Sequence, residues 1–294
     1  MNRPEVIAIV GPTASGKTDL AFRVAKMLNG ELISADSRQI YQGMDIGTAK
    51  EKSDSSIDQW GIDLVEPDES YSAARFRQYG REKIFDIRSR GKLSIVVGGT
   101  GFWVRALLDD FVIPSVPPDS ELREILDKKT VDELFKQYES LDNVGALKID
   151  KNNKRRLIRA TEVCLKTGEP FSKWIAPSKP YFSTLYIGIS QSREGLRTRI
   201  DARVDKMMNV GFLDEVSRLK DKYGCDISSM SGIGYRELCE YLNSEITLDL
   251  AVKKIKTNTF QYAKRQLTWF NRDERVHWVR SQDEAIEIIR KSII

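Results

Sequence analysis

The first strongly apolar run, Val6-Ile7-Ala8-Ile9-Val10, is β-branched and too short for a helix of ordinary length. A run of this kind predicts a strand buried on both faces, as in a parallel sheet. Residues 31–35, 93–97 and Thr184–Ile189 read the same way, with shorter candidates at 62–65 and 275–279. Between them the apolar spacing turns helical. It predicts helices over 19–28, 72–89 (Phe76, Tyr79, Ile84 and Ile87 inward), 102–108, 193–208, 211–222 and about 248–270. Residues 43–61 carry no clear period. Alternation of strands with helices predicts an α/β fold, a parallel sheet core flanked by helices. Pro114, Pro117 and Pro118 interrupt the pattern, short helices follow at 120–128, 130–138 and 153–167, and Pro170, Pro177 and Pro180 close the stretch. A helical insertion domain over 119–180, splitting a core made of 1–118 and 181–294, is the expected organisation.

The loop after the first strand carries the most specific chemistry. Gly11-Pro12-Thr13-Ala14-Ser15-Gly16-Lys17-Thr18 is a P-loop in its strand–loop–helix setting. Gly11 and Gly16 let the backbone N–H groups turn inward, and the helix N-terminus adds positive potential, so the loop suits a diphosphate. Lys17 supplies a charge, and Thr18 a hydroxyl for Mg2+. Asp36-Ser37-Arg38-Gln39 follows the second strand, at the edge where open α/β sheets bind ligands. The strand over 93–97 ends in Gly98-Gly99-Thr100-Gly101, not in the Asp common in P-loop ATPases. Gly98 and Gly99 are expected to let backbone approach a ligand, with Thr100 bonding it; a simple tight turn is the alternative.

Composition changes this picture little, and charge distribution changes it more. The net charge is +4, but residues 253–275 hold seven Lys/Arg against two acids and residues 146–159 hold six against one. The second cluster includes Arg155, Arg156 and Arg159. The first interleaves Lys264 and Arg265 with Tyr262, Trp269 and Phe270, a mixture able to hold phosphates and stack bases; helix-core packing is the alternative for each aromatic, and a solvated helix face for each cluster. No apolar run approaches the ~20 residues of a membrane span, and the N-terminal stretch lacks a signal-peptide layout. Cys164, Cys225 and Cys239 are odd in number and without metal spacing, so reduced thiols in a cytoplasmic protein are expected. His277 is expected to be structural.

Taken together these stretches resemble the tRNA dimethylallyltransferase (tRNA isopentenyltransferase) family. The likeness runs through the P-loop, Asp36-Ser37-Arg38-Gln39-Ile40-Tyr41, Gly98-Gly99-Thr100-Gly101, 156–163, Thr167-Gly168-Glu169-Pro170, 196–200, Arg203-Val204-Asp205, 232–236 and 261–270. It spans nearly the whole chain. The resemblance implies transfer of a dimethylallyl group from its diphosphate to the N6 amine of the adenosine 3′ to the tRNA anticodon, with diphosphate released. It implies Gly11, Thr13, Ala14, Ser15, Gly16, Lys17 and Thr18 on the diphosphate, with Mg2+ at Thr18. It implies Asp36 as general base and Thr100 as its neighbour in the reaction channel. tRNA contacts are implied at Asp36, Ser37, Arg38, Gln39, Thr100, Arg123, Gly234, Tyr235, Arg236, Lys264, Arg265, Gln266 and Trp269, to which the basic cluster adds Arg155, Arg156 and Arg159. The anticodon stem-loop and dimethylallyl diphosphate are the implied partners of a monomer with no membrane. Without a Cys/His zinc-finger extension, the chain resembles the bacterial type.

Three stretches depart from the family pattern. Asp150-Lys151-Asn152-Asn153 stands for His-Pro-Asn-Asp, Thr259-Phe260-Gln261-Tyr262 for Thr-Arg-Gln-Tyr, and Gly232 for Ala. Three other functions share some of these features: a small-molecule P-loop kinase, an isopentenyltransferase acting on free adenine nucleotides, and a nucleotide-regulated RNA-binding protein without catalysis. A kinase leaves the basic aromatic helix unexplained, the free-nucleotide enzyme has less need of two basic clusters, and a non-catalytic protein has none for Asp36 and Thr100.

Overall fold

Strand pairing explains why the first apolar run exposes nothing: it lies inside a sheet with a helical layer on each face. The computed structural model describes residues 3–50, 56–114, 116–174 and 179–293, so Pro177 lies outside the described residues. In chain order the elements are β1 (Val6–Val10), α1 (Lys17–Leu28), β2 (Gly30–Ser34), β3 (Gln59–Trp60), α2 (Ala73–Ser89), β4 (Leu93–Gly98), α3 (Gly101–Leu108) and β5 (Asp109–Asp110). Next come α4 (Ser120–Asp127), α5 (Val131–Leu141), α6 (Asn143–Ala146), α7 (Lys154–Thr167), β6 (Lys179–Pro180) and β7 (Thr184–Ile189). The chain finishes with α8 (Arg193–Asn209), α9 (Phe212–Tyr223), α10 (Tyr235–Leu242), α11 (Leu248–Phe270), β8 (Val276–Val279) and α12 (Gln282–Ile293).

Six strands pair in parallel in the order β3-β2-β4-β1-β7-β8. Ile7 lies opposite Ile95 on one side and Leu185 on the other. Side chains alternate between faces. Val6, Ala8 and Val10 join Phe76, Ile84, Leu196, Ile200 and Ala263 in one core, whereas Ile7 and Ile9 join Leu20, Val24, Ala285 and Ile289 in the other. The helix α12, which covers the second face, was not anticipated; its apolar positions Ala285, Ile289 and Ile293 follow the same helical spacing. The strand expected over 62–65 is replaced by the short β3 and an isolated bridge from Tyr41 to Val65.

Met1–Leu108 with Phe182–Ile294 forms one compact unit, and Asp109–Tyr181 the other. The proline-marked boundary at 118 falls inside the smaller unit, because Asp109–Asp110 pairs antiparallel with Lys179–Pro180. That unit packs α4, α5 and α7 around Leu134, Tyr138, Leu157 and Cys164. Asp142 organises its turn, accepting from the Tyr138 hydroxyl at 2.9 Å, the Gly145 amide at 2.7 Å and Ser172 at 2.6 and 2.7 Å. The departure at 150–153 is also accounted for here: Asn153 Oδ1 accepts from the Arg156 amide and caps α7.

One expectation is overturned outright. Cys225 and Cys239 are not thiols but a disulfide, with Cα atoms 6.1 Å apart; Cys164 stays free and buried. The end of α9 and the face of α10 bring the two together, a proximity that their separation of fourteen residues does not reveal. Among the described residues, no helix is long and apolar enough to cross a membrane.

Candidate active site

Because β1, β4 and β2 are parallel neighbours, the loops that follow them leave the sheet at the same edge. Adjacent strands lie about 4.8 Å apart, so the P-loop, Gly99-Thr100 and Asp36 open onto one crevice. All of this lies within the larger unit.

The P-loop needs its glycines. Gly11 has φ +134° and a methyl there would stand 3.0 Å from the Ile189 carbonyl oxygen; Gly16 has φ +91°. Ala14 also sits at φ +60°. Groups far along the chain hold the loop in this shape. The Thr13 amide donates to Gln266 Oε1 at 2.8 Å, Arg203 Nη1 donates to Thr13 Oγ1 at 3.1 Å, and Arg199 Nε donates to the Ala14 carbonyl at 2.7 Å. Arg199 and Arg203, four apart on α8, were missed as site residues. Their motif was visible, but nothing local says that α8 crosses the phosphate loop. Lys17 Nζ donates to the Pro12 carbonyl at 2.5 Å. Burial pushes its ammonium down to about 7; the Arg203 charge acts in the same direction and Asp36 opposes both.

Asp36 closes a tight turn, its Oδ1 accepting from the Arg38 amide at 2.9 Å. The Arg38 guanidinium donates to the Ser228 and Ser229 carbonyls, each at 3.0 Å, and to Ser231 Oγ at 3.3 Å. Gln39 accepts from Ser34 Oγ and donates to the Thr48 carbonyl. Both side chains are therefore used within the protein, while Ser37 is half-buried beside them. Thr100 Oγ1 is buried. Tyr262 stands against it. Burial raises the phenol pKa, the Asp36 charge adds to the rise, and Thr100, Gln266 and Arg38 pull it back. Asp36, Lys17, Arg203, Thr100 and Tyr262 thus share one electrostatic site.

The glycines at the end of β4 and the start of α3 lie tight against protein. A methyl at Gly98 would stand 2.4 Å from the Ala35 carbonyl, at Gly99 2.1 Å from Gln266 Nε2, and at Gly101 2.1 Å from the Trp269 ring. Gln266 is correspondingly buried instead of facing tRNA, and Trp269 keeps 39% of its surface exposed.

The remaining tRNA candidates divide. Lys264, Arg265, Arg155 and Arg156 are exposed, with Arg265 5.8 Å from the centre of the Tyr262 ring. Arg236 is half-exposed and pairs with Glu237. Tyr235 is 1% exposed and cannot touch RNA in this fold; its hydroxyl donates to Glu215 Oε1 at 2.7 Å. Glu215 in turn accepts from the Asp45, Ile46 and Gly47 amides. Gly234 turns at φ +96° against the Phe212 ring. In the smaller unit, Arg123 and Arg159 converge on the buried Glu162, at 2.8 Å from Nε and Nη2 of Arg123 and 2.6 Å from Arg159 Nη1. Burial works against the Glu162 charge, yet Arg123, the Asp119 amide and Arg159 hold its carboxyl below the usual range. Each guanidinium remains about one-third exposed, so part of it stays available.

The other two departures are also accommodated. Phe260 packs into the core with the Arg197 guanidinium 5.3 Å from its ring centre, so a cation still stands at that helix face. A methyl at Gly232 would meet the Ser229 carbonyl at 3.4 Å, an ordinary contact. His277 is exposed on the edge strand β8.

A sequence model of the family described as IPP transferase matches residues 39–273. The chain is similar to the tRNA dimethylallyltransferase of Carboxydothermus hydrogenoformans, 43% identical, with 99% of this chain and 96% of that one covered. It is 39% identical to that of Anoxybacillus flavithermus, over 96% and 92%. Its structure is similar to the crystal structure of the Staphylococcus epidermidis tRNA delta(2)-isopentenylpyrophosphate transferase, with a TM-score of 0.73, 39% identity and 98% of each chain covered. It is also similar to a eukaryotic dimethylallyltransferase acting on tRNA, with a TM-score of 0.81, 30% identity, and 95% of this chain and 74% of that one covered.

Proposed function

The chain belongs to the IPP transferase family, and on that premise we propose how its residues divide the work of prenylating tRNA. The protein is a prenyltransferase that modifies the N6 amine of the adenosine 3′ to the anticodon. The donor is dimethylallyl diphosphate, seated on the P-loop amides and Lys17 with Arg203 alongside. The adenine nitrogen attacks C1 of the dimethylallyl group; the N–C bond forms as the C–O bond to diphosphate breaks. Asp36 takes the amine proton, and the Thr100 hydroxyl, buried beside Tyr262, bonds the amine or the bridging oxygen. Negative charge growing on the leaving diphosphate meets the loop amides and the Lys17 ammonium. What supports this assignment is the sheet order: β1, β4 and β2 are hydrogen-bonded parallel neighbours, so the P-loop, the Gly99-Thr100 turn and Asp36 follow their ends at one edge.

The P-loop also fits Mg2+. Among the described residues, Ser15 Oγ is buried without a partner, Thr18 offers a hard hydroxyl oxygen at the start of α1, and no cluster of His, Cys, Asp or Glu competes as a metal site. Mg2+ held by the Thr18 hydroxyl and diphosphate oxygens would neutralise leaving-group charge. We place the enzyme in the cytoplasm as a monomer. Incubation with labelled dimethylallyl diphosphate and either unmodified tRNA or AMP tests the function: label should enter tRNA, and label in AMP alone would assign it to free nucleotides.

Lys17 gives the donor site a pH dependence. With its pKa near 7 in the free protein, it is largely neutral at pH 8, and a bound diphosphate raises that pKa. Donor binding at pH 8 should therefore take up a proton, and affinity should fall as pH rises above 7. Calorimetry in two buffers of different ionisation enthalpy reads the uptake. A Lys17→Gln variant that still takes up the proton would place it elsewhere.

The exposed cations predict salt-dependent tRNA binding. Arg155→Ala and Lys264→Ala should each weaken tRNA binding and flatten the log–log salt slope by roughly 0.7 to 0.9 for every phosphate no longer neutralised. Donor affinity should not move. Arg159→Ala should also lower thermal stability, since it removes a bond to buried Glu162. An unaltered slope in Arg155→Ala and Lys264→Ala would leave both as surface charge.

A further inference from the structure

The amide of Gln266 is placed between two loops that the reaction uses for different partners. Its Oε1 accepts from the Thr13 amide of the P-loop at 2.8 Å, and its Nε2 donates to the Gly99 carbonyl at 3.0 Å. One residue further on is Thr100. Gly99 is pressed so close that a methyl would meet Gln266 Nε2 at 2.1 Å and the Gly11 carbonyl at 3.4 Å. The side chain is 5% exposed, so water cannot easily replace either bond. Three residues along α11, Trp269 covers Gly101 in the same way, which fixes the helix at both the Gly99 turn and the start of α3. Lys264 and Arg265, on the same helix, face solvent.

We infer that Gln266 is a positioning residue: it sets the distance between the diphosphate loop and the Thr100 loop, and so between donor carbon and adenine amine. This rests on the assignment of those loops given above. Neither bond is available to substrate, and the geometry demands an amide. A carboxylate could still accept from Thr13 but would face the Gly99 carbonyl as a second acceptor. A hydrocarbon would leave both backbone groups buried and unpaired. Bond-forming steps are steep in this distance; a shift near 1 Å costs on the order of 100-fold in rate.

The test is single-turnover transfer of labelled dimethylallyl from its diphosphate to unmodified tRNA, with tRNA and donor both saturating. Binding of each is measured separately, and thermal unfolding is followed in parallel. Gln266→Glu and Gln266→Met should transfer roughly 10- to 100-fold more slowly at saturation, with tRNA affinity within about threefold of wild type. Gly99→Ala, which displaces the amide from the other side, should show the same split and serves where a Gln266 variant does not fold. Transfer within about twofold of wild type at saturation would overturn the inference, whether the variant bound tRNA weakly, as a direct RNA contact would, or only melted earlier, as a packing role would. Wild-type protein that labels no tRNA would instead overturn the assignment of the site.

Discussion

Asp36→Asn should reduce transfer to tRNA by about 10²–10⁴-fold while leaving tRNA affinity nearly unchanged. The substitution is chosen because Asn keeps the oxygen that accepts from the Arg38 amide at 2.9 Å, so the turn after β2 survives. What it removes is the carboxylate able to receive the amine proton. It also removes the negative charge that raises the Lys17 pKa, so the ammonium should titrate lower in the variant than in the wild type. Donor affinity near neutral pH should weaken a little for that reason alone, which is why transfer is best measured at saturating donor. Asp36→Ala adds loss of the turn and should lower stability as well. Near-normal single-turnover transfer by Asp36→Asn would mean that the proton goes elsewhere.

Lys17→Met should weaken dimethylallyl diphosphate binding by about 10- to 100-fold, the range of a charge-assisted bond to phosphate oxygens. Stability should move the other way or not at all. The folded protein depresses the Lys17 pKa by burial and by Arg203, so below the unfolded-state pKa it holds the charged form at a cost. A methionine of similar length carries no such cost, although it leaves the Pro12 carbonyl without its donor. The expected signature is weak donor binding, intact tRNA binding and an unfolding midpoint near that of the wild type. Unchanged donor affinity and turnover would show that the diphosphate is not on this loop.

Much of the fold is legible in the chain itself because its signals are local. Four buried strands announce themselves as short apolar runs, and the P-loop by the spacing of Gly11, Gly16, Lys17 and Thr18, since positive φ at the glycines and a helix N-terminus are decided within a few residues. Asp36 was legible too, as a polar residue just past a strand. Other local signals were present and passed over, as with α12, whose spacing was as regular as that of its neighbours.

What the sequence could not decide is which polar side chains remain free for substrate. Gln266 and Thr13 are separated by 253 positions, Arg203 and Thr13 by 190, and Arg38 and Ser228 by 190. A hydrogen bond of about 3 Å depends on both ends, and nothing near either residue in the chain reports the other. So Gln266 and Tyr235, which the motifs mark for tRNA, are buried and hydrogen-bonded within the protein, Arg38 and Gln39 are half-buried and bonded to backbone carbonyls, and Arg199 and Arg203 arrive at the P-loop from a helix with no phosphate motif. The disulfide between Cys225 and Cys239 belongs to the same class, set by how α10 packs after α9. Local patterning determined most of the strands and helices and the P-loop because those depend on neighbours along the chain. The division of side chains between structure and substrate was left to the tertiary fold, because it depends on neighbours in space.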